Sequence, residues 1–139
     1  LLTHGLPNHL MGSAGSPLIS WRDLESMKGQ LAHLKNVYMQ SCYGDSLSAD
    51  WMAAGAQSVI GFRGMTANFF FYDVLLKELT RTDGQIDRAF ALAKLDFKLI
   101  VQSELAYSSF IPALQNTSLD EYLKEIDFPI LHLASDSRR

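Results

Sequence analysis

Two short segments, Val37-Tyr38-Met39-Gln40-Ser41 and Gln57-Ser58-Val59-Ile60-Gly61-Phe62, set the tightest limit on what this chain can fold into. Both have the length and the β-branched or aromatic content of strands. A helical stretch at about 47–54 lies between them, ended by Gly55 in the manner of a C-cap. Two strands separated by a helix do not close as a hairpin, and the connection suits parallel neighbours.

The remaining pattern continues the alternation. Leu1-Leu2-Thr3-His4-Gly5 reads as the end of a hydrophobic strand running into a turn, so a longer or processed protein, with residues preceding this strand, is expected. Residues 6–19 are rich in Gly, Ser, Pro and Asn and read as a surface loop. Ser20 serves as an N-cap with Asp23 in the first turn. Leu24, Met27, Leu31 and Leu34 then recur at helical spacing, predicting a helix over 21–34 that Lys35-Asn36 ends. Thr66 caps a predicted helix of about 67–81 carrying Phe69, Phe70, Tyr72, Val74, Leu75 and Leu79. Gly84 breaks it, and a longer helix follows at about 85–106. Residues 116–121 read as a loop leading into a short helix, and Pro129–Leu133 as a strand or an extended arm. The expected fold is α/β: a mostly parallel sheet flanked by helices in three layers, here partial.

A chain of 139 residues suits a single domain, with a core at about 1–106 and a C-terminal extension at 107–139. At 47% hydrophobic and 19% charged residues, it is neither disordered nor a coiled coil. A net charge of -3 has the wrong sign for phosphate contacts, which argues against nucleic acid as a partner. No apolar run approaches the ~18 residues a membrane span needs. One cysteine, Cys42, excludes an internal disulfide and a multi-cysteine metal site. An unpaired thiol fits a reducing cytoplasm and is either buried filler or a reactive group. No His, Asp and Glu set has metal-ligand spacing, and no cofactor is expected.

In an open parallel sheet, ligands bind beyond the carboxyl ends of the strands. His4 and Cys42 stand at two such ends, each with a glycine next to it or close behind, Gly5 and Gly44. A thiol and an imidazole at one sheet edge are the minimum apparatus for nucleophilic acyl transfer. The glycines let a substrate backbone approach, and N–H groups at such turns can face a developing oxyanion. Taken singly, each residue has an ordinary explanation: cysteine is commonly buried, and a histidine beside glycine is commonly a turn residue.

The block Leu1-Leu2-Thr3-His4-Gly5, followed by Val37-Tyr38-Met39-Gln40-Ser41-Cys42-Tyr43-Gly44, resembles the caspase-like (clan CD) cysteine peptidases. Ile19-Ser20 with Asp23-Leu24, Gly55-Ala56-Gln57-Ser58-Val59-Ile60-Gly61 and Ala89-Phe90-Ala91 are similar to their CHAT, clostripain and legumain-type branches, over roughly residues 1–95. The resemblance implies a mostly parallel sheet with Cys42 as nucleophile, His4 as general acid/base, and an oxyanion hole from the backbone N–H groups of Gly5 and Cys42. Gln40-Ser41 departs from the acidic residue plus Ala or Ser common before the nucleophile. The implied substrate is a peptide or protein, and the family's first strands would come from a missing N-terminal segment or a partner subunit. Arg63, after the 57–62 strand, is a candidate for reading an acidic P1 side chain, and Asp45 for a basic one. A surface arginine in a loop is the simpler reading of Arg63.

Two further readings compete with a cysteine endopeptidase. The chain could be a catalytically degenerate caspase-like module kept for interaction or regulation, although the presence of both His4 and Cys42 favours chemistry. Gly44-Asp45-Ser46-Leu47 also spells the string of GDSL-type serine esterases, with Ser46 as nucleophile. That family needs a late Asp-x-x-His, and the late histidine here, His132, has Pro129 three residues before it, so the partner is absent. His9 reads as a solvated loop residue and His33 as a half-buried helix residue. The alternating charges of 77–88 read as a solvated face, and the Asn116-Thr117-Ser118 sequon carries no weight without a sign of secretion.

Overall fold

A computed structural model describes residues 4–11, 16–64, 71–107 and 128–134. The chain divides into two compact units, Leu1–Thr66 with Asp127–Arg139, and Ala67–Ile126.

Among its described residues, the first unit does not contain the large, mostly parallel sheet that the sequence suggests, and it holds two three-stranded sheets, one antiparallel and one mixed. The antiparallel sheet runs in the order β1 (His4–Leu6), β2 (His9–Met11) and β3 (Pro17–Ser20). Part of the segment read as a loop is therefore hairpin. Pro7 fixes its own φ and Asn8 adopts φ 63, which together close a two-residue turn placing Leu6 opposite His9 and Gly5 opposite Leu10. Leu10 is fully buried and anchors the hairpin on the core.

Ser20 caps α1 (Trp21–Ser26) through a reciprocal capping box with Asp23. The Ser20 hydroxyl and backbone N–H donate to the Asp23 carboxylate at 2.6 and 2.8 Å, and these bonds hold its pKa below the ordinary value. The helix is much shorter than 21–34. Gly29 takes φ +73, and the chain beyond it bonds to the end of α2 (Ser48–Ala54) instead, with Gly29 N–H on the Ala53 carbonyl and Leu31 N–H on that of Ala54. His33 is exposed in this turn region rather than half-buried on a helix.

The mixed sheet has the order β4 (Asn36–Tyr38), β5 (Ser58–Gly61), β6 (Ile130–Leu133). β4 and β5 are parallel, as the intervening helix requires, and β6 adds to β5 antiparallel. The 130–133 segment is therefore a strand, and part of the C-terminal tail belongs to this sheet. A 3-10 turn over Gly44–Leu47 runs directly into α2. Leu10, Leu24, Val37, Met39, Leu47, Trp51, Ala56 and Val59, drawn from both sheets and from α1 and α2 among other segments, form a buried cluster.

In the second unit, α3 (Phe71–Arg81) packs along α4 (Ile86–Tyr107). Phe71 is buried and meets Phe90 and Phe97 edge-on, each at 5.8 Å. The charges of 77–88 are not all solvated: Glu78 is wholly buried, with Oε1 accepting from Arg81 at 2.7 Å. Phe69, Phe70, Thr66 and residues 116–121 lie outside the described residues. Among the described residues, no helix is long and apolar enough to cross a membrane.

Candidate functional site

The chain leaves β4 through Met39 and Gln40, and Cys42 lies in the turn that follows, partly exposed and with a free thiol. Two glycines from distant parts of the sequence let backbone close on this turn. At Gly5 a Cβ would collide with the Cys42 carbonyl oxygen and lie 2.9 Å from its carbon and 3.2 Å from its nitrogen. At Gly61 a Cβ would lie 2.6 Å from the Asp45 nitrogen and 2.8 Å from its Cα. In both places the obstacle is backbone, which has no rotamer by which to move aside.

Hydrogen bonds hold the same segment. Tyr43 N–H donates to the Gly64 carbonyl at 2.8 Å and Asp45 N–H to that of Phe62 at 2.9 Å. Tyr43 itself sits at φ 56, ψ 18, a left-handed conformation costing a non-glycine residue about 1 kcal/mol or more. A strained residue immediately after the only thiol, fixed by bonds on both sides, marks a turn whose geometry is imposed by its surroundings.

His4 opens β1 rather than ending a strand, and it lies in the antiparallel sheet and not beside β4, because β1 pairs with β2 as a hairpin. The Gly5–Cys42 contact sets β1 beside the Cys42 turn. The two residues assigned to an oxyanion hole, Gly5 and Cys42, are thereby backbone neighbours. Arg63 and Asp45, proposed as alternative readers of substrate charge, face one another: Arg63 Nε lies 3.8 Å from Asp45 Oδ2, with the arginine side chain 75% exposed and the aspartate 16%.

His132, set aside on sequence spacing, lies on Asp45. Its Nε2 is 2.6 Å from Asp45 Oδ1, across 87 residues of sequence, and Ser48 Oγ donates to the same oxygen at 3.2 Å. Nothing local in the sequence pairs these two residues. The signal lies in the sheet order, which puts β6 beside β5 and so His132 opposite Val59. Asp45, Ser46, Ser48 and His132 border an open pocket of about 600 Å³ whose apolar wall is Ala49, Met52, Ala53 and Leu133.

Ser46 borders that pocket but is bonded as a clamp. Its hydroxyl donates to the Tyr43 carbonyl at 2.7 Å and accepts the Asn8 N–H at 2.7 Å, tying the hairpin turn to the 3-10 turn. Among the described residues, no hydrogen bond links Ser46 to His132. His9 directs Nδ1 at the Pro7 carbonyl, 3.1 Å away. The neighbouring Ser41 hydroxyl is buried without a partner.

Away from the turn, Asp50 on α2 has its pKa raised, first by burial and then by the Glu25 carboxylate. Among the described residues, no group of three or more His, Cys, Asp or Glu side chains is arranged to hold a metal ion. Compared with protein-family models, curated proteins and solved structures, the chain matches none.

Proposed function

We propose that the chain carries the nucleophile and general acid/base of a cysteine endopeptidase similar to the caspase-like (clan CD) enzymes, cleaving peptide or protein substrates. The observation that carries the reading is the free, partly exposed Cys42 thiol in a turn on which the backbone of Gly5 and Gly61 closes.

In this reading the Cys42 thiolate attacks the scissile carbonyl carbon, forming the C–S bond. The His4 imidazolium gives its proton to the departing amine as the C–N bond breaks, leaving a thioester. Water then attacks the thioester, His4 takes its proton, and the thiolate leaves with the acid product. The Gly5 and Cys42 N–H groups serve the oxyanion of each tetrahedral intermediate. The strained Tyr43 turn and the bonds to Phe62 and Gly64 support the reading, since a nucleophile must be held in place before substrate arrives. The serine-esterase alternative is weaker, because the Ser46 hydroxyl is committed to Tyr43 and Asn8. A reducing cytoplasm is the compartment that fits a free thiol.

The test is intact-mass labelling of the folded chain with peptidyl acyloxymethyl ketones, with His4→Ala and urea-unfolded protein alongside. One adduct on folded protein, mapped to Cys42 and lost in His4→Ala, is the expected result. Labelling only after unfolding makes the thiol core filler and ends the reading.

A further inference from the structure

The pocket between α2 and β6 has walls fastened from outside it. Gly29 and Leu31 give their N–H groups to the Ala53 and Ala54 carbonyls at 3.0 and 2.7 Å, which holds the last turn of α2. β6 is held by its antiparallel pairing with β5, and Ala134 N–H extends that pairing onto the Gln57 carbonyl at 3.0 Å. Cys42 is not among the residues that border the pocket, so its use does not depend on the thiol.

Most polar atoms on its border are committed. Ser46 Oγ donates to the Tyr43 carbonyl and accepts from Asn8 N–H. Ser48 is buried, and its Oγ donates to Asp45 Oδ1 at 3.2 Å, while His132 Nε2 lies 2.6 Å from the same oxygen. An ionised carboxylate can only accept, so Nε2 carries the hydrogen of that bond, and in the neutral ring Nδ1 is left as an acceptor. Among the described residues Nδ1 has no hydrogen-bond partner, and the His132 side chain is 40% exposed on the pocket border. The bordering side chains thus offer a free acceptor and no free donor.

Charge nearby is balanced. Asp45 is countered by Arg63, 3.8 Å away, which does not itself border the pocket. A ligand carboxylate would find no side-chain donor and would stand beside Asp45. An ammonium group would give up its hydration for surroundings already neutralised. A hydroxyl supplies the missing donor and meets neither penalty.

The rest of the wall is apolar. Ala49, Met52 and Ala53 stand at i, i+3 and i+4 and form one stripe of α2, while Ser48, Trp51 and Ala54 form the buried one. Leu133 adds the β6 side. The two alanines leave space, and the Met52 thioether adapts to different shapes. A volume of about 600 Å³ falls within the range of ligand clefts.

We propose that this pocket binds a small uncharged aliphatic alcohol, its hydroxyl donating to His132 Nδ1 and its chain lying on Ala49, Met52, Ala53 and Leu133.

The test titrates hexanol into the full chain and follows the amide NMR spectrum. Methyl pentyl ether, which has the same atoms but no donor, runs beside it with hexanoate and hexylammonium. Hexanol should bind with about millimolar affinity, with shifts centred on Ala49, Met52, Ala53, His132 and Leu133. It should bind about five-fold more tightly than the ether, the net worth of one hydrogen bond. In His132→Phe both should still bind and that difference should vanish. In Ala49→Trp, which enlarges an exposed residue without overpacking the core, both should weaken by about ten-fold or more. Dispersed amide spectra verify that each variant is folded, and if His132→Phe is not, the ether comparison on wild type decides alone. An ether as tight as the alcohol, tighter binding of hexanoate or hexylammonium, shifts centred elsewhere, or no shifts at all would each overturn the proposal.

Discussion

Replacing Gly5 with alanine tests how the thiol turn is held. The added methyl would fall on the Cys42 carbonyl oxygen, far inside the 3.0 Å that real Cβ contacts keep, and 2.9 Å from the carbonyl carbon. Only backbone stands in the way, so β1 and the turn must separate by about 1 Å, at a cost of about 1–3 kcal/mol in stability. On the proposed pairing of His4 with Cys42, the same displacement should slow labelling by up to about 100-fold, the cost of a misplacement of about 1 Å in a reacting pair. Gly29→Ala is the control: it has nothing within 4 Å of its would-be Cβ but sits at φ +73. It should lose about 1 kcal/mol by conformational strain alone and keep its labelling rate. Urea midpoints give the stabilities, and acyloxymethyl ketone labelling of Cys42 gives the rates. A Gly5→Ala protein within about 0.5 kcal/mol of wild type, labelling within about three-fold, would show that the contact with Cys42 neither fixes the turn nor serves chemistry.

Ser46→Ala removes the link between the Asn8 N–H and the Tyr43 carbonyl, so stability should fall by about 1 kcal/mol while Cys42 labelling persists. Loss of an esterase activity in that variant, with labelling of Cys42 absent from wild type, would instead favour the serine reading. Ser20→Ala breaks the capping box of α1 and should cost about 1 kcal/mol, read as a lowered urea midpoint. Asp50 has a folded-state pKa above its unfolded value, so the fold disfavours its charged form. Its penalty is absent below the ordinary carboxylate range and grows as pH rises through the raised value. Asp50→Asn should therefore stabilise at pH 7 and change little near pH 3, and stabilisation confined to the acid side would reverse the assigned sign.

What was legible in the sequence was local. Ser20 with Asp23, the glycine ending α2, and the parallel pairing of β4 with β5 follow from neighbours along the chain or from one short connection. What was hidden depended on partners far away. The 21–34 periodicity is genuine, yet α1 stops at Ser26 because Gly29 and Leu31 give their N–H groups to the end of α2. Loop-like composition at 6–19 masked a hairpin, since the turn residues Pro7 and Asn8 are as frequent in loops as between strands. Extrapolating the parallel β4–β5 pair to a whole sheet failed because the other strands pair antiparallel. His132 was discounted by counting residues to an upstream aspartate, whereas its partner lies 87 positions earlier on the rim of the thiol turn.

Gly5 and Gly61 belong to different strands of different sheets, and neither has a sequence relation to Cys42, yet both are tolerable only as glycine because the same five-residue stretch, 41–45, presses on them. A turn positioned by backbone contact from two sides, and by N–H bonds to Phe62 and Gly64, depends little on the side chains around it. Ala49, Met52 and Ala53, on the pocket wall, are therefore free to vary in size without moving the thiol, whereas Ser46 is bonded to the turn itself. That separation divides the two regions: strand backbones fix the thiol turn, and the exposed stripe of α2, with Asp45 and His132 at its rim, borders the open pocket. Enlarging Ala49 or Ala53 should thus leave the placement of Cys42 unaltered, whereas a Cβ at either glycine should move it.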